Sequence, residues 1–246
     1  MNQERGRQGY VGEEATMMRR TVVVSPVGTD TENGTALINT LAAISDASQS
    51  KKYLLYIEPG TYDLGSATLQ MKEHVDIEGA GELSTLITSS AARFEVPAAT
   101  VQGADNAEVR FLTVRNTGTG ALGSWSAAIL NLGASPRLTH VTAEVIAIRS
   151  VNIGVFNAFP ASTPTLTDVS ATASGDATNI GMQDFHCSPT IKQSKLSGSY
   201  NSLLHTHGGT ATVALTQLVG PIETSKGGAV RCFNNYDENL AAVTCP

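Results

Sequence analysis

Between Tyr53 and Thr88 the chain alternates short apolar runs with small-residue turns. YLLYIEP, ATLQM, HVDIEG and STLIT each hold one strand's worth of aliphatic positions, and the words PG, LGS and GAG separate them. No helical period runs through this stretch. One segment differs: in NGTALINTLAAISDAS, residues 33–48, Leu37, Ile38, Leu41 and Ile44 fall on one helical face, with Asn33 or Thr35 able to cap the start. The pattern predicts a helix over about 35–47 and a first strand at TVVVSP, 21–26.

The later half repeats itself. SPRLTHVTA (135–143), TPTLTDVSA (163–171) and SPTIKQSKLSG (188–198) share a frame of small polar residue, Pro, any residue, aliphatic. Pro136, Pro164 and Pro189 are 28 and 25 residues apart, and ATVALTQLVG (211–220) reads as a degenerate fourth copy. Upstream lie further echoes, AAILN, IGVFN, IGMQD and SLLH. A period in the twenties, built from several short strands, is the signature of a solenoid whose rungs bury themselves only against their neighbours. Parallel rungs about 4.8 Å apart over 53–220 would make about seven turns, a column on the order of 33 Å tall. Its open ends need covering, a task that falls to the 35–47 helix at one end and residues 225–246 at the other.

The segment IEPGTYDL followed by VDIEGAGELSTLI resembles the first rungs of right-handed parallel β-helix proteins of the pectin lyase-like superfamily, which includes pectate lyases, pectin methylesterases and phage tailspikes. SPRLTHV, TPTLTDV and SPTIKQS are similar to repeats of bacterial β-helix proteins of unassigned function. The resemblance covers residues 21–246 and implies an all-β, right-handed parallel β-helix with a short N-terminal capping helix, in a single domain. It implies an extracellular or cell-surface location, and, by analogy with tailspikes, allows a homo-oligomer. Residues 1–20 read as a disordered leader or tag, since MNQERGRQGYVGEEATMMRR has charges where a secretory signal has its apolar core. The superfamily hosts lyases, hydrolases, esterases and adhesins on one scaffold, so activity must be argued from the site.

Composition narrows the partners. Charged residues make up only 15% of the chain, against about 25% in an average domain, and the net charge is −6. That balance argues against nucleic acid and anionic lipid. No stretch approaches the ~20 apolar residues of a membrane-spanning helix, so a membrane is not an expected partner.

Two clusters carry candidate chemistry. In DFH (184–186) and HTH (205–207), strand geometry would put Asp184 with His186 and His205 with His207, and the repeat alignment sets the two pairs on adjacent rungs. Asp184, His186, His205 and His207 could then form a two-by-two patch for a divalent metal or for acid-base work. The same alignment offers a structural alternative. Asn131, Asn157, Asp184 and His205 fall in one column, where a stack of polar side chains would satisfy backbone groups at a turn, leaving His186 and His207 just beyond it in solvent.

GMQDF also echoes the GxxDF stretch around a pectin methylesterase catalytic aspartate, although the QDT and LWGR-like elements of that family are missing, as is the RxPxxR-like context of the lyases. Trp125, in TGTGALGSWSAA, and Arg149 are candidate carbohydrate-binding residues, while Arg110 and Arg115 read as surface charges. Asp168 aligns with His140 and Gln193 in a column that tolerates varied chemistry, and reads as solvated. Cys232 and Cys245 bracket CFNNYDENLAAVTC and could form a disulfide that ties down the terminus, or remain thiols in a reducing compartment; Cys187 reads as a buried, inert thiol. Together these features favour a non-catalytic scaffold or surface-recognition module without a cofactor, meeting polysaccharide along one face. The alternative is a carbohydrate-active enzyme, a polysaccharide lyase or esterase, with its site near 184–207.

Overall fold

The computed structural model describes residues 20–94, 97–118, 123–148, 150–176 and 178–246. The expected leader, up to residue 19, and Arg149 lie outside the described residues. The chain winds as a right-handed parallel β-helix whose strands form two long parallel stacks. One face stacks Tyr53–Ile57, Val75–Gly79, Glu108–Asn116, Arg137–Ile146, Thr165–Ser174, Lys195–Gly198 and Gln217–Val219. The other, termed here the groove face, stacks Leu69–Gln70, Ala98–Gln102, Ser124–Leu132, Ser150–Ala158, Asn179–Phe185, Asn201–Thr206 and Ile222–Ser225. Seven stacked strands make six steps, or ~29 Å at ~4.8 Å per step.

The evenly spaced aliphatics of the sequence become continuous interior columns. Leu55, Ile77, Val109, Leu138, Leu166, Ile191 and Val213 are register partners in succession. Facing them, Leu69, Val101, Ile129, Val155, Met182, Leu203 and Ile222 do the same. Nearly all are fully buried, each contributing about 1.5–3 kcal/mol of apolar transfer. The three proline-led repeats stack as expected, because Arg137, Thr165 and Thr190, which follow Pro136, Pro164 and Pro189, are register partners.

The helix starts earlier than its apolar stripe. It spans Asp30–Ala43 and is capped by Thr29, not by Asn33 or Thr35. Thr29 and Glu32 form a capping box: the Glu32 N–H donates to Thr29 Oγ1 and the Thr29 N–H donates to Glu32 Oε2. The signal was the T-x-x-E spacing at 29–32, upstream of the apolar face. Asn33 instead buries its side chain, accepting from Val27 and Gly28 and donating to the Thr61 carbonyl, which fixes the helix against the strand Gly60–Asp63. At the other end, the first part of residues 225–246 still stacks as a rung. Ile222–Ser225 and Ala229–Phe233 continue the parallel stacking on Asn201–Thr206 and Thr210–Ala214. Only Asn235–Tyr236 and Ala242–Val243 turn back as an antiparallel pair, beside the Cys232–Cys245 disulfide.

Two corners share one backbone device. Gly133, Phe159, His186, His207 and Lys226 each follow a groove-face strand and each adopts positive φ, between 51° and 82°. Phe111, His140, Asp168, Gln193, Leu215 and Asn234 do so midway along the opposite face, at 50–55°. A left-handed residue turns the chain sharply while the rung-to-rung hydrogen bonds persist, as in His186 N–H to Thr206 O at 3.0 Å.

Glycine is required elsewhere for a different reason. A Cβ at Gly154 would lie 2.5 Å from the Gly181 carbonyl oxygen and 2.8 Å from the Thr172 nitrogen, where the two faces come together. Gly133, at φ 64°, has nothing within 4 Å. Gly154→Ala is therefore expected to cost about 1–3 kcal/mol through overpacking, whereas Gly133→Asn should stay within about 0.5 kcal/mol of the parent, since Asn tolerates the left-handed region. Urea unfolding midpoints check this, and equal losses at the two positions would contradict it.

Candidate functional site

The strand Asn179–Phe185 shows how the interior and exterior of this face are assigned. Asn179, Met182 and Asp184 face inward, while Ile180, Gln183 and Phe185 face outward. Inside, Asn131, Asn157, Asp184 and His205 are consecutive register partners, all fully buried. Asn131 Nδ2 donates to Asn157 Oδ1 at 2.7 Å, and Asn157 Nδ2 donates to Asp184 Oδ1 at 2.8 Å. His205 Nδ1 lies 3.3 Å from Asp184 Oδ2 and closes the chain of contacts. Cys187 is buried nearby, its thiol pushed far up by burial and by the Asp184 charge.

His186 and His207 are elsewhere. The expectation that residues two apart share a face holds only while the strand continues, and both histidines sit at left-handed corners, φ 60° and 65°. The corner turns their side chains outward, where their rings lie 5.4 Å apart. Asp184, His186, His205 and His207 therefore do not converge in one patch, and among the described residues no group of three or more His, Cys, Asp or Glu is placed to hold a metal. Nor can Asp184 meet a substrate on the surface as the GMQDF echo would require, because it is fully buried beneath that face.

Outside lies a groove of about 560 Å³. Its floor is the outward row Phe156, Gln183, Leu204 and Glu223, register partners on consecutive rungs, beside a second row Leu132, Ala158, Phe185, Thr206 and Ser225. Half-buried Trp125, with Pro97 of the rung before, and Lys226 of the last rung also line it; the corner residues Phe159 and His207 form the rim. His207 packs on Phe185 with ring centroids 4.2 Å apart, and its Nδ1 lies 3.0 Å from Thr206 Oγ1. Its imidazole is held below the usual value, by desolvation first and then by Lys226 and His186. Gln183 is 8% exposed, and among the described residues no group donates to its Oε1.

Of the sequence candidates, Trp125 and His207 line this groove, whereas Asp184 and His205 lie behind it. Phe156, Gln183 and Leu204 went unread, although the echoes IGVFN, IGMQD and SLLH carry them just before the inward Asn, Asp and His; Phe185 follows the last residue of IGMQD. Arg110 and Arg115 belong to the opposite face, where they pair with Glu78 and Glu108 and with Glu144. Asp168 is exposed but not simply solvated, since Oδ2 meets His140 Nδ1 at 2.6 Å and the His140 ring stacks on Phe111 at 5.0 Å.

No family model matches the chain, and no curated protein matches it in sequence. Solved structures do. A pectin methylesterase from carrot aligns with TM-score 0.57 and 14% identity, over 93% of this chain and 86% of that one. Pectin methylesterase PemA from Erwinia chrysanthemi aligns with TM-score 0.55 and 12% identity, over 92% of both. ORF18 of Geobacillus virus E2 gives TM-score 0.58 and 11% identity over 87% of this chain, which spans about half (48%) of the viral protein. These likenesses show a shared right-handed parallel β-helix fold.

The buried pair has a sign that can be tested. Burial pushes the His205 imidazole down, but the hydrogen bond and charge of Asp184 outweigh it, so the net shift is upward from 6.5. A group whose pKa rises on folding stabilises fully below its unfolded value, and that stabilisation is lost as pH climbs through the folded value. The melting temperature is expected to fall as pH rises from about 6 towards 9, and His205→Gln should flatten this fall while lowering stability overall. Thermal melts across that range check it; an unchanged slope in the variant would contradict it.

Proposed function

We propose that this chain is a polysaccharide-recognition module that lays a glycan along the groove face. The carrying observation is the groove itself: half-buried aromatic and aliphatic side chains on a flat sheet, with a shielded amide acceptor, Gln183, among them. Aromatic side chains offer large, rigid surfaces for the CH faces of pyranose rings, and a small number of placed polar groups gives orientation. From Trp125 to Lys226 the lining crosses five consecutive rungs, a span of ~19 Å at ~4.8 Å per step, and Pro97 adds the rung before. That length suits a chain of several sugars.

Catalysis by a family-like route has less support in the groove. Ester or glycoside cleavage needs converging acid and base groups at the reacting atoms, and the carboxylate lining the groove, Glu223, has Lys226 and His207 as its titratable companions. The fold neighbours that are esterases support a polysaccharide-related role through architecture alone.

Affinity electrophoresis in polysaccharide-containing gels tests the reading. Trp125→Ala combined with Phe185→Ala is expected to weaken retention at least about tenfold, as loss of central aromatic anchors does, with the thermal midpoint little changed. Incubation with the retained polysaccharide should release no methanol, unsaturated product or new reducing ends; turnover there would overturn the non-catalytic reading.

A further inference from the structure

Resting on the recognition role proposed above, we infer that the groove takes an uncharged glycan and discriminates against acidic ones. The first observation is charge. A polyuronate carries a carboxylate on every sugar and would need a lining rich in Lys and Arg. The lining residues charged at neutral pH are Glu223 and Lys226, one of each sign, so the lining is formally neutral. His207 adds no charge there, since its imidazole is held below the ordinary value.

Among the described residues, arginines near this face or along the sheets are engaged or lie off the groove. Arg110 is shared between Glu78 and Glu108, and Arg115 is held by Glu144, on the opposite face. Arg93 is the cross-strand neighbour of Trp125 but does not line the groove. The chain as a whole carries −6, which repels a polyanion at long range.

The second observation is the one polar group the floor holds in reserve. Gln183 stands between Phe156 and Leu204 in the outward row. Its Oε1 is shielded and, among the described residues, has no donor. A buried acceptor without a donor costs about 1–3 kcal/mol, and a sugar hydroxyl supplies what it lacks. A carboxylate set against Gln183 Oε1 cannot, because it is itself an acceptor, whereas a hydroxyl of any sugar can, so the amide asks for a hydroxyl and the neutral lining carries the discrimination against charge. Apolar platforms flanking an acceptor match CH faces and hydroxyls, and the formally neutral lining does not supply a cationic partner for a carboxylate on every sugar.

The test compares a panel of uncharged polysaccharides (mixed-linkage β-glucan, xyloglucan, galactomannan, arabinoxylan) with polygalacturonate, in affinity gels at about 50 and about 500 mM NaCl, where screening removes long-range electrostatics. Retention by at least one uncharged polymer, equal at both salt levels, is expected, with none by polygalacturonate. Gln183→Leu, close in size, should weaken that retention about tenfold, and Gln183→Glu should weaken it further, by placing a charge among apolar platforms and removing the amide. Retention by polygalacturonate alone, lost at high salt, would overturn this inference while leaving polysaccharide recognition standing. Retention by no polymer would overturn both. Gln183→Leu binding as well as the parent would remove the amide from the argument and refute its assigned role.

Discussion

Every face of this molecule depends on the parallel hydrogen-bonded register between consecutive rungs, because that register decides which side chains meet. Once Asn157 is set opposite Asn131 and Asp184, the neighbouring outward residues Phe156 and Ala158 are set opposite Leu130, Gln183, Leu132 and Phe185. A slip of one residue would exchange the polar ladder with the groove floor. The interior contacts therefore do more than stabilise: Asn131, Asn157, Asp184 and His205 each have a partner only in this register, and a slipped rung would bury unpaired amides and a carboxylate. Specificity of stacking inside is what holds the outer rows in line.

The left-handed corners complete the device. They let a strand end abruptly without breaking the ladder, and they turn one side chain per rung outward along the groove rim. Phe159, His186, His207 and Lys226 owe their places to this turn, so the rim composition can vary while the backbone remains constant. On the opposite face the same geometry produces a column in which Phe111, His140 and Asp168 contact one another. One backbone motif thus serves both as structure and as the display of exposed chemistry.

Much of the architecture was legible because its signals are local or periodic. The proline-led repeats gave the stacking of Arg137, Thr165 and Thr190, and the helical stripe of Leu37 and Leu41 gave the one helix. The column of Asn131, Asn157, Asp184 and His205 was readable from the repeat alignment, since a stacked rung converts sequence equivalence into spatial contact. The surface patch of Asp184 with His186 and His205 with His207 failed because a strand period was carried one residue past the strand's end, across a corner that only the φ values of His186 and His207 reveal. The groove was harder to see: Leu130, Phe156, Gln183 and Leu204 look like interior residues in a chain whose interior is also aliphatic, and only the bend near Ala128, Gly154 and Gly181 shifts the alternation so that they face out. Residues 225–246 read as a cap because the open end needs covering, and within them Ala229–Phe233 still pairs in parallel with the rung before it while Ala242–Val243 turns back.

The stacked polar interior is tested most directly by hydrogen exchange at the side-chain amides of Asn131 and Asn157, followed by NMR in deuterated water. Both amides donate inside a sealed column, so they are expected to exchange far more slowly than solvated side-chain amides, and at a rate that tracks opening of the rungs. Exchange as fast as that of an exposed amide such as Asn239 would contradict the stacked column and, with it, the placement of the groove on its outer side.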